Sequence, residues 1–113
     1  MEAKSLPIKA ATIQKKWYSF GFPSKGVFRY FIDASTVADA ICEQFLPPPA
    51  VDTRLIFICI DATKDVVISA SSRAPIAGST TATVELKQFQ ALEFVSDATG
   101  ANWIQHRRGD KAL

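Results

Sequence analysis

Side chains able to do acid–base, metal or nucleophilic chemistry are few in this 113-residue chain, and their spacing argues against all three. The one histidine, His106, is followed by Arg107 and Arg108, whose charge disfavours its protonated form, so we read it as a surface residue rather than a general base. The carboxylates Asp33, Asp39, Asp61, Asp65 and Asp97 stand singly, where solvated loops account for them; no two form the spaced pair that acid-catalysed hydrolysis needs. Cys42 and Cys59 lie inside apolar segments without other ligands at metal spacing and read as buried free thiols. No Gly-rich phosphate loop, ligand cluster or nucleophile elbow occurs. We therefore expect no catalytic, cofactor or metal-binding residue, and no enzyme.

Three further features could bind rather than react. Trp103 follows a polar turn and could stack on a sugar ring or anchor the core; the core is the commoner use of such a residue. Arg108-Gly109-Asp110 spells a tripeptide that some cell-surface receptors recognise, here near a basic C-terminus where chance explains it. Lys15-Lys16-Trp17-Tyr18 interleaves cations with aromatics, the only neighbourhood that begins to resemble a nucleic-acid surface. Charge is uneven along the chain. Residues 1–30 carry Lys4, Lys9, Lys15, Lys16, Lys25 and Arg29 against Glu2, while residues 31–105 carry four bases against nine acids. A basic N-terminal segment docking on an acidic protein surface fits this better than nucleic acid.

The elements that must position these residues read as strands. Residues 27–32 are β-branched and aromatic. Residues 54–62 are apolar on both faces, with Leu55, Phe57 and Cys59 alternating with Ile56, Ile58 and Ile60, as in a strand covered on both sides or lying at a subunit interface. Residues 63–65 are short enough for a hairpin loop, pairing 66–70 back onto that strand. Residues 71–81 are a polar connection. Residues 82–87 and 92–94 alternate and read as two further strands of one hairpin, and 97–102 turn the chain into a last strand over 101–106. Residues 36–46 are two-sided: Thr36 and Asp39 have capping-box spacing ahead of a helical face, yet Phe45-Leu46 runs into Pro47-Pro48-Pro49, which stops either element.

Residues 1–25 hold Pro7 and Pro23 and no sustained period, so they suit an extended arm. Ile8, Ile13, Trp17, Tyr18, Phe20 and Phe22 make it too apolar for a solvated tail. Such side chains pack on the body of the chain or on a neighbour, and arm exchange between subunits is the sharper expectation. No apolar run reaches the ~20 residues that span a bilayer, and residues 1–16 lack a signal peptide's apolar core, so we expect a soluble, intracellularly made protein. The expected organisation is an arm over 1–25, a β-domain over 26–108 and a tail over 109–113.

The order Phe45-Leu46-Pro47-Pro48-Pro49-Ala50, the strands around 54–70, Ile76-Ala77-Gly78-Ser79, then Leu86, Phe89, Phe94-Val95-Ser96-Asp97 and Asn102-Trp103 resembles the small β-domain of tailed-bacteriophage fibre, baseplate and capsid-surface proteins. The likeness covers roughly residues 36–106; Ala77 stands where that pattern has aspartate, Ala98 where it has glycine, and Ala101 is an extra residue before Asn102. It implies a strand rather than a helix before the prolines, and we take that reading. It implies an all-β fold, a small antiparallel sandwich or barrel, assembling as a homotrimer on the virion surface after synthesis in the host cytoplasm. The implied role is capsid decoration or a short head spike, with a major capsid protein or other virion protein as partner, and neither membrane nor nucleic acid. In that setting Ile8, Ile13, Lys15, Lys16, Trp17, Tyr18, Phe20 and Phe22 would form the partner-binding arm, and Leu55, Ile56, Phe57, Ile58 and Ile60 the subunit interface. The alternative is a receptor- or carbohydrate-binding module at a fibre or baseplate tip, with Trp103 stacking on glycan.

Overall fold

The computed structural model describes residues 8–20, 25–61 and 63–109. Eight strands and no helix lie among them: β1 (Ile8–Ile13), β2 (Gly26–Asp33), β3 (Ile41–Phe45), β4 (Thr53–Asp61), β5 (Asp65–Ser69), β6 (Thr83–Leu86), β7 (Ala91–Ser96) and β8 (Trp103–Gly109). The expected all-β class is observed, and β3 replaces the helix that the capping-box spacing favoured. The strands form two sheets, one in the order β1-β2-β4-β7-β8 and one in the order β3-β5-β6.

Neither sheet closes into a barrel, and both are mixed rather than antiparallel. β2 pairs in parallel with β1 and with β4, and β3 in parallel with β5, while β4–β7, β7–β8 and β5–β6 are antiparallel. Parallel neighbours cannot be joined by a tight turn and need a crossover. Here the crossover is a strand of the other sheet: the chain leaves β2, lays down β3 opposite, and returns as β4. The two expected hairpins fail for the same reason. β4 and β5 lie in different sheets, as do β6 and β7. The Leu55, Phe57 and Cys59 face of β4 and the Val66 and Ile68 face of β5 both need burial, and placing them on opposite sheets lets each cover the other.

One core results. From the large sheet it takes Ile32, Leu55, Phe57, Leu92 and Phe94, and from the small sheet Cys42, Val66, Ile68 and Leu86, all at most 1% exposed. Trp103 closes it at one end. Its indole N–H donates to Pro47 O at 2.7 Å, its backbone N–H to Pro75 O at 2.8 Å, and its carbonyl accepts from Ala77 N at 2.9 Å. The ring is thus tied to the chain just after β3, and the Trp103 backbone to the connection between β5 and β6. Turn chemistry holds that end. Asp97 Oδ1 accepts from Thr99 Oγ1 and the amides of Ala101 and Asn102, Asn102 Nδ2 donates to Asp97 Oδ2, and Asn102 Oδ1 accepts from Gly78 N. Led by the Asn102 amide, these donors hold the Asp97 carboxyl well below the usual carboxylate range.

The expected boundaries shift at both ends. Residues 8–13 form the edge strand of the large sheet and Ile13 is 1% exposed, so this part of the arm belongs to the body. β8 runs on through Gly109, past the expected strand end at His106.

Candidate functional site

After β1 the chain passes along β3, an edge strand of the small sheet, as a strap, residues 14–20. A buried amide fixes its path. Gln44 on β3, 0% exposed, donates from Nε2 to Lys15 O at 2.8 Å and Lys16 O at 3.0 Å, and Cys42 Sγ lies 3.4 Å from Lys15 O. Two strap carbonyls that would otherwise lack partners are satisfied from within the core. Alternation along β3 puts Cys42 and Gln44 inward and leaves Ile41 and Phe45 outward.

Trp17 stacks on Phe45 with ring centroids 4.8 Å apart and stays 53% exposed. Lys16 Nζ sits 6.0 Å from the Trp17 ring and 3.6 Å from Asp39 Oδ1, and Ile41 is exposed nearby on the same strand. Beyond Trp17 the strap turns inward. Tyr18 and Phe20 pack on the core, where Phe20 meets Tyr30 and Phe57 edge-on at 4.8 and 5.9 Å. Burial, reinforced by the neighbouring Tyr18, pushes the Tyr30 phenol up to about 12.

The arm residues named from sequence therefore divide. Ile13, Tyr18 and Phe20 are occupied within the chain, while Lys15 and Trp17 are exposed and Lys16 is half-buried. Ile8 lies in β1, and Phe22 lies outside the described residues. The interface residues of β4 divide too: Leu55 and Phe57 face the core at 0% exposure, whereas Ile56 and Ile58 are half-buried on the outer face and Ile60 is 39% exposed. Trp103 is 0% exposed, with its N–H taken by Pro47, so it cannot stack on a glycan. Of the receptor-type tripeptide, Arg108 is paired opposite Leu92 and Gly109 opposite Ala91, and Asp110 lies outside the described residues.

Nothing in the described residues gathers reactive groups. No cluster of three or more His, Cys, Asp or Glu side chains could hold a metal among them. A hollow of about 240 Å³ between residues 51–54 and 95–98 carries Asp52 and Asp97, but both Asp97 oxygens are spent in its turn. Both thiols are buried, and burial pushes Cys59 up to about 11.

Two features were missed from sequence. Gln44 reads as one polar residue in a strand, and only its zero exposure reveals its role. Phe89 is 73% exposed with φ 64°, a conformation bulky residues avoid. Compared with protein-family models, curated proteins and solved structures, the chain matches none.

Proposed function

We propose that this chain is a non-enzymatic structural protein of a tailed-phage particle, a small β-sandwich that decorates the capsid by adhering to a larger virion protein. The carrying observation is the strap. An exposed tryptophan flanked by Lys15 and Lys16 is held at fixed geometry by a stack on Phe45 and by backbone contacts to a buried glutamine. A large ring preorganised in this way loses little entropy on binding, and tryptophan is the side chain most often dominant at interfaces. The exposed Lys15 beside it favours an acidic partner surface. The resemblance over residues 36–106 supports the virion setting.

Removing residues 1–24 would be a poor test, because it strips β1 and the core residue Ile13 along with the strap. The test is Trp17→Ala, alone and with Lys15→Glu, followed by capsid occupancy on purified particles. We expect occupancy to fall at least tenfold, with thermal stability of the free protein close to wild type. Unchanged occupancy would remove the strap as the anchor. The receptor-binding alternative has lost its candidate residue, since Trp103 is buried.

A further inference from the structure

The large sheet has a second face that the core does not use. Registered neighbours on adjacent strands point to the same side, so the pairings define three levels across that outer face. Val27, Arg54 and Val95 form one level, Arg29, Ile56 and Glu93 the next, and Phe31, Ile58 and Ala91 the third. Residues on the opposite side of these strands, such as Tyr30, Phe57 and Leu92, are buried in the core.

The middle of this apolar face is charged in an unequal way. Glu93, only 9% exposed, holds Arg54 Nε at 3.0 Å and His106 Nδ1 at 2.9 Å. Arg29 is half-buried among apolar neighbours and has no ion pair or hydrogen bond among the described residues. Val27, Phe31, Ile56, Ile58 and Val95 on this face are half-buried rather than buried, and Arg29 lies among them without a partner among the described residues, a surface suited to further burial.

We infer that the outer face of the large sheet pairs with the same face of a second copy about a twofold axis running along β4. Such an axis carries β2 of one copy over β7 of the other while keeping each level in place. Ile56 then meets Ile56 and Ile58 meets Ile58 on the axis. Phe31 lies opposite the small Ala91, so a large side chain fills the space a small one leaves. Arg29 lies opposite Glu93, twice by symmetry, giving each Arg29 a carboxylate. A carboxylate accepts about four hydrogen bonds, so Glu93 can take Arg29 of the other copy in addition to Arg54 and His106. Arg54 also falls on the axis line, where Glu93 already neutralises it. Stacked sheets cross at about 30°, which displaces strands adjacent to the axis by less than the spacing between levels. Five strands about 4.8 Å apart and six residues long give a footprint of roughly 500 Å², which side-chain relief brings toward the ~800 Å² per partner of a standard interface.

This pairing is independent of the virion reading. The phage likeness implies threefold assembly, whereas the levels of this face are complementary by a twofold. The full chain should sediment as a dimer at micromolar concentration. Ile56→Lys should give a folded monomer by the same measurement, with its circular dichroism retained. Arg29→Glu should weaken the dimer at least tenfold, because it sets a carboxylate against Glu93 of the other copy. A wild-type monomer at ~100 μM, an oligomer indifferent to Ile56→Lys, or a dimer undiminished by Arg29→Glu would each overturn the pairing.

Discussion

Phe89 is the residue whose backbone and side chain disagree most. Gln90 N bonds back to Lys87 O at 3.0 Å, and Phe89 occupies the third position of this turn at φ 64°, where glycine is ordinarily required. Its N–H is held by Cys59 O at 2.7 Å while Gln90 O accepts from Cys59 N, so Phe89 and Gln90 together face one residue of β4, as in a bulge. The left-handed conformation costs a non-glycine residue roughly 1–2 kcal/mol, and the exposed ring returns little of it. Phe89→Gly should therefore raise stability by about 0.5–1 kcal/mol, after allowing for the freer unfolded chain, and lift the melting temperature by a few degrees. A drop in melting temperature would mean that the ring contributes packing to the free protein. From sequence, residues 88–90 read only as a break between strands, because the residue that usually betrays such a turn is absent.

At the scale of elements, the strap and β3 form the unit on which the proposed adhesion depends. The two bonds to Lys15 O and Lys16 O come from the buried Gln44 side chain; losing them strands Lys16 O and leaves Lys15 O only the weak Cys42 thiol, or lets the strap lift into water. Gln44→Ala should cost about 2–3 kcal/mol by chemical denaturation. It should also raise acrylamide quenching of tryptophan fluorescence, since Trp103 is buried and Trp17 is the ring that can respond. Quenching equal to wild type would show that Phe45 alone holds Trp17. The apolar excess of residues 8–20 was legible as a demand for burial. Its destination was not, because sequence does not say whether such a segment covers its own body or a neighbour's.

For the whole molecule, stability converges on the cluster where the strap meets the core, around Tyr30, Phe20 and Phe57. Burial raises the Tyr30 phenol to about 12 from its ordinary value of 10.0. A group raised on folding contributes stability that is complete below its unfolded value and lost as pH climbs through the folded one. Stability should thus fall between pH 10 and 12, and Tyr30→Phe should flatten that part of the profile, measured by circular dichroism against pH. A slope unchanged by the substitution would assign the alkaline loss elsewhere. The β-branched and aromatic content of residues 27–32, the doubly apolar run 54–62, the period of two over 82–87, the proline stop after Phe45-Leu46, and the polar turn ahead of Trp103 were enough to specify an all-β chain and most strand positions, because composition, alternation and turn chemistry are local properties. Partnership was decided only in three dimensions. A short connection such as that between β4 and β5 can close a hairpin or arch from one sheet to the other, and the choice rests on which apolar faces must cover each other. That same global choice buried Trp103, set the Gln44 amide beneath the strap, and aligned Arg29, Ile56 and Glu93 across a face that no stretch of sequence displays.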